Sequence, residues 1–147
     1  MSPAPLPCTN VKVRQLMRRI GQHYDAEVAA CGIKTTQYSL LANAAKAGPI
    51  KSVDLARRLK MTPSTLSRNL RPLIAAGYVS LEHGGDARSH LVVVSASGQA
   101  KIAEAMQLWR SAHHSLQVRL GAERLRQLHT LIDDALVLLD DTPVKSR

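Results

Sequence analysis

The sequence predicts a mainly α-helical fold carrying one small β-hairpin. Three observations predict it: two short helices separated by a few residues between Ser52 and Ala76, a Gly-Gly turn between two β-branched segments just after them, and long apolar-striped helices on either side. Taken in order, the first helix covers about Thr9 to Ala30, with Val13, Leu16, Met17, Ile20, Tyr24 and Val28 at helical spacing. A second runs from Gln37 to Ala47. Ser52 and Thr62 each stand just before an apolar-periodic run, where a side-chain oxygen can cap a helix, and Pro63 occupies a first helical position that needs no N–H. Tyr78 to Glu82 and His90 to Val94 read as strands around the turn at Gly84-Gly85-Asp86. A long helix follows Ser95, with Ile102, Met106, Trp109, His113, Leu116 and Leu120 spaced by threes and fours. The last helix, Ala122 to Asp140, is apolar around much of its circumference.

The helix from Pro63 to Ala76 has an inside and an outside. At about 100° per residue, Leu66, Leu70, Leu73 and Ile74 share one face and Ser64, Arg68 and Arg71 the other, with Thr65 and Ser67 flanking. Pro72 is expected to kink or strain its last turn. From Lys46 to Arg71 there are seven Lys or Arg against one acid, Asp54, a net of +6. Short hydroxyls and arginines on a basic, exposed face suit base edges and phosphates. Two short helices followed by a two-stranded hairpin form a winged helix-turn-helix. At the hairpin tip, Asp86 and Arg88 are two residues apart, so a carboxylate can hold a guanidinium aimed at a narrow minor groove.

These residues resemble the MarR (multiple-antibiotic-resistance regulator) family of winged-helix transcription factors. The resemblance runs from about Val11 to Asp140. It is carried by Ile33-Lys34-Thr35-Thr36-Gln37-Tyr38-Ser39-Leu40-Leu41, the helix-turn-helix, the Asp86-Ala87-Arg88 tip and Ser95-Ala96-Ser97-Gly98. It implies that Arg68 and its neighbours meet a major groove, that Arg88 reaches a minor groove, and that a symmetric dimer binds a palindromic operator. The expected DNA-contacting set is Ser52, Thr62, Ser64, Thr65, Ser67, Arg68, Asn69, Arg71, Asp86 and Arg88. The expected organisation is an N-terminal arm over residues 1–8 and a single domain over 9–141. Within that domain, 33–95 form the winged helix-turn-helix, while 9–31 and 96–141 supply dimerisation helices. A helix apolar on several sides needs neighbours on several sides, and a second copy is the economical source.

Composition agrees with this reading. The chain has 147 residues, 45% of them hydrophobic, with a net charge of +9 and a pI near 10.2, which favours a polyanionic partner. No apolar run approaches the roughly 20 residues of a spanning helix, and Met1 to Pro7 lacks the basic and apolar regions of a secretory signal. The expected location is therefore the cytoplasm, with Cys8 and Cys31 as thiols. No catalytic constellation, phosphate loop or paired-cysteine motif is present. His113-His114 and His129 near Asp133 read as ordinary helix residues, so neither an enzyme nor a metal or other cofactor is expected.

The resemblance further implies a small effector, an aromatic or phenolic anion, held between the dimer helices and the reading lobe. Its expected contacts are His23, Tyr24, Tyr38, Arg110 and His113. The function expected is a homodimeric, sequence-specific repressor released by that ligand. Two alternatives stay open: a thiol-based sensor using Cys8 or Cys31, and a winged-helix module for protein association or DNA compaction without operator specificity.

Overall fold

A computed structural model describes residues 7–86 and 89–140. In chain order the elements are α1 (Thr9–Val28), a 3-10 turn (Ala29–Cys31), α2 (Thr35–Ala47), β1 (Ile50–Lys51), α3 (Ser52–Arg58), α4 (Pro63–Ala75), β2 (Val79–His83), β3 (His90–Val94), α5 (Ala96–Leu120) and α6 (Ala122–Asp140). The predicted class, mainly helical with a small wing, is the observed one.

The sheet has three strands rather than the expected two, in the order β1-β3-β2, all antiparallel. Ile50 pairs with Val92 and Lys51 with Leu91, while Val79 to His83 pairs in register with Val94 to His90. A two-residue strand is too short to show a period-2 pattern, which is why β1 escapes sequence reading. It joins the wing directly to the start of α3.

The core fills the space between α2, α3, α4 and the sheet. Leu41, Leu55, Leu66, Leu73 and Val92 are almost wholly buried, with Val28 and Ile33 closing one side and Ala105 of α5 the other. Gly98 sits where α5 begins, against the Tyr78 carbonyl and the Val94 side chain, so that a Cβ there would collide with both. Ser95 caps α5 by accepting from Gly98 N–H at 3.1 Å and itself donates to Gly77 O at 2.6 Å.

Several local expectations change. Ser52 is not a helix cap: Lys51 holds that position, and Ser52 Oγ donates to the His90 carbonyl at 3.3 Å, tying α3 to the wing. Ile74, expected on the inner face, is 37% exposed beside Val53 and Leu81. α4 runs on through Pro72 to Ala75, and the Pro72 carbonyl accepts from Ala76 N–H at 3.0 Å. The stripe of α1 is largely uncovered within the chain; Val28 is its buried residue, whereas Val13, Leu16 and Met17 are exposed. On α5 the residues fully buried are the small ones, Ala105 and Ala112. The expected arm falls mostly on residues 1–6, which lie outside the described residues, as does Arg88.

Candidate nucleic-acid interface

α4 is set in place from beneath. Leu66, Leu70 and Leu73 recur every three or four residues and are each at most 3% exposed, so the opposite face must point outward. That face carries Ser64, Thr65, Ser67, Arg68, Asn69 and Arg71, all exposed. The helix starts cleanly because Thr62 Oγ1 accepts from Thr65 N–H at 3.2 Å and Pro63 follows. The cap also organises hydroxyls, with Thr62 Oγ1 lying 2.8 Å from Thr65 Oγ1 and 3.2 Å from Ser64 Oγ. Asn69 Nδ2 reaches Met61 Sδ at 3.8 Å. Arg57 pairs with Asp54 at 3.0 Å and Lys60 with Asp140 at 3.7 Å. No ion pair among the described residues engages Arg68 or Arg71. Two guanidinium groups without an acid partner, on a helix anchored by leucines, make a face that accepts anions.

The wing is closed by its own tip. Gly84 N–H donates to Ser89 O at 2.9 Å, Ser89 Oγ returns to the Gly84 carbonyl, and Gly85 adopts φ 73°, a left-handed conformation suited to glycine. Asp86 is exposed beside this turn, its N–H donating to Gly84 O at 2.8 Å. Of the residues expected to contact DNA, the helix brings Thr62, Ser64, Thr65, Ser67, Arg68, Asn69 and Arg71 to one element. Ser52 stands at the start of α3, half-buried, and Asp86 on the wing.

A sequence profile of the MarR family matches residues 32–89, from just before α2 to the turn before β3. The same architecture recurs across solved structures. The transcriptional regulator MosR of M. tuberculosis, in complex with DNA, is 28% identical, with a TM-score of 0.76 over 90% of this chain and 98% of its own. A C80S mutant of E. coli MarR with operator DNA is 22% identical, with a TM-score of 0.79 over 86% and 92%. The S. aureus MepR–DNA complex is 19% identical, with a TM-score of 0.77 over 91% and 99%. Over residues 32–89 the chain is similar to the MarR family. No curated protein sequence matches it.

The long helices carry a second cluster. His23 Nε2 lies 2.8 Å from Ala112 O and 3.0 Å from Ser115 Oγ, and Tyr24 Oη lies 2.8 Å from His113 Nδ1, joining α1 to α5. Trp109 stacks on both the His113 ring, at 5.0 Å, and the Tyr24 ring, at 6.1 Å. Burial pushes the Tyr24 phenol above its ordinary value of 10.0. Three of the five expected ligand contacts, His23, Tyr24 and His113, therefore meet in one seam. Tyr38 instead packs against the core of the reading lobe, and Arg110 is exposed. Trp109 was absent from the expected set, although its spacing of four from His113 on one helix face is visible in the sequence. Beside the seam lies a cleft of about 710 Å³, lined by Leu16, Arg19, His23, Ser115 and Arg119 among others.

Lys101 is a further residue that sequence reading missed. Its ammonium donates to Cys31 O at 2.8 Å and pairs with Glu104, while lying 5.8 Å from the centre of the Tyr78 ring. The hydrogen bond to Glu104 holds its pKa above the ordinary lysine value. A single side chain thus ties α5 to the 3-10 turn after α1 and to the start of the wing. Nothing local in the sequence separates it from an ordinary surface lysine.

Proposed function

We propose that this chain is a homodimeric, sequence-specific DNA-binding regulator of transcription, a repressor released by a small anionic, aromatic or phenolic ligand. The observation that carries the reading is α4: a leucine-anchored helix presenting Ser64, Thr65, Arg68 and Arg71 outward, with neither arginine ion-paired among the described residues. The DNA-bound state of MosR, MarR and MepR supports it. The dimer is supported by the apolar residues left uncovered on α1 and α6, from Val11, Val13 and Met17 to Leu131, Leu136, Leu138 and Leu139. For the ligand, the cleft beside the seam offers Arg19 and Arg119 to a carboxylate and the His23 ring to an aromatic group. Such a ligand acts through its different affinity for the DNA-competent and DNA-incompetent geometries.

The deciding experiment selects a DNA site from a random pool with the purified protein, then compares that site with a scrambled version across a salt series. The expected outcome is tighter binding to the selected site by 10³-fold or more, on the order found for specific regulators. Arg68→Ala should lose about 1–3 kcal/mol on the selected site and relax preference at particular bases. Equal affinities with the same steep salt slope would instead identify a general DNA-binding or association module.

A further inference from the structure

Two clefts flank α4. The one toward the wing is apolar and includes Val53, Ile74 and Leu81. The one toward α2, about 390 Å³, is different in kind. Lys34, Thr36 and Gln37 come into it from the start of α2, and Arg68 and Asn69 from α4, above a floor of Leu40 and Pro72. Among the described residues, no carboxylate lines it. Gln37 Oε1 is already taken by Lys34 N–H at 2.8 Å, so what Gln37 has left to offer is its NH₂ donor. Thr35 N–H goes to Asp25 Oδ1 and Tyr38 N–H to Lys34 O, while the N–H groups of Thr36 and Gln37 have no carbonyl within the helix to meet. Neither the Lys34 ammonium nor the Arg68 guanidinium has an ion-pair partner among the described residues. Two cations arriving from different helices, with amide and hydroxyl donors between them, describe a receptor for an oxyanion.

Which oxyanion follows from where the cleft lies. It shares Arg68 with the outward face of α4, and it is open to solvent, so it suits a group presented by a long polymer passing along that helix more than a small ion that must be enclosed. We propose that Lys34, the first turn of α2 and Arg68 together clamp one backbone phosphodiester of the DNA strand lying against α4. Lys34 supplies the charge that does not depend on base sequence. The proposal rests on the DNA-binding reading given above. It adds α2 to the contacting elements, none of whose residues belongs to the set expected from sequence.

The test uses the full chain, the DNA site it selects and a scrambled counterpart. Lys34→Gln, an exposed substitution, should leave the melting temperature unchanged and weaken both DNAs by the same factor. It should reduce the slope of log affinity against log salt by about 1. Thr36→Asp, which places a carboxylate in the cleft, should weaken both further, and Lys34→Arg should restore the wild-type slope. An unchanged slope in Lys34→Gln, or a loss confined to the selected site, would overturn the clamp while leaving the DNA-binding reading in place. Wild-type protein that binds neither DNA would overturn both. Titration with inorganic phosphate separates the two sources of the anion. Saturable binding that depends on Lys34, with no change in the DNA salt slope, would mark a free-anion site and overturn the phosphodiester assignment.

Discussion

Gly98 shows how much a single residue can decide. α5 meets the Tyr78 carbonyl with no side chain between them, and Ser95 and Ser97 both donate to Gly77 O beside that point. Gly98→Ala forces either the helix or the strand to move. It should cost about 1–3 kcal/mol in urea unfolding, the usual scale of overpacking. A variant as stable as wild type would show that the contact yields freely. Ser52 teaches the converse. A serine before an apolar run is a good cap signal, but the rule sees only the helix that follows. Here the hydroxyl goes to His90 O, 38 residues away, which no local pattern announces. Lys101 escaped for the same reason, since its partners Cys31, Glu104 and Tyr78 converge only through the fold.

At the scale of elements, what sequence revealed and what it hid divide along the range of the forces involved. α4 was legible because Leu66, Leu70 and Leu73 impose a period, and Thr62-Pro63 marks its start. The Ile74 error followed from extending that period one residue into a surface where Val53 and Leu81 form an open groove. The seam between α1 and α5 was half legible: the residues were named, but Tyr24–His113 pairing and Trp109 stacking need both helices in place. That seam has a pH signature. The folded chain holds the Tyr24 proton above the ordinary value of 10.0, so its contribution to stability is complete below that pH and is lost as pH rises through the raised value. Tyr24→Phe keeps the ring and removes the bond to His113. It should lower stability at neutral pH by about 1 kcal/mol, while melting curves above pH 10 should show a smaller alkaline loss than wild type. An identical alkaline decline in both proteins would assign that loss to other groups.

For the whole molecule, α6 poses the question, because Leu125 is its one buried residue and Leu131, Ile132, Leu136, Val137, Leu138 and Leu139 are exposed within the chain. Sedimentation should therefore give twice the 16.0 kDa chain mass. Truncation after Gly121 should abolish both the dimer and tight DNA binding. A well-folded monomer with full affinity would refute this. The mode of release can be tested just as directly. Cys31 is buried with its thiol 3.0 Å from Val28 O, whereas Cys8 is exposed at the start of α1, so a thiol switch would have to begin at Cys8. A Cys8→Ser, Cys31→Ser variant should still release DNA when an aromatic carboxylate that raises its melting temperature is added. Release of wild type alone, and only by peroxide, would make the thiol the sensor.

α5 also has the proportions of a lever. Its 25 residues span about 37 Å at 1.5 Å per residue, and one end is pinned to the reading lobe at Gly98 by a contact with no soft side chain to absorb motion. Tilting a rod of that length by about 5° carries its tip through roughly 3 Å. Successive major grooves lie about 34 Å apart, so this displacement is close to a tenth of that distance. In the proposed DNA-bound dimer, an angular change too small to disturb the packing at one end thus becomes, at the other, an error large enough to put a reading helix out of step with its groove.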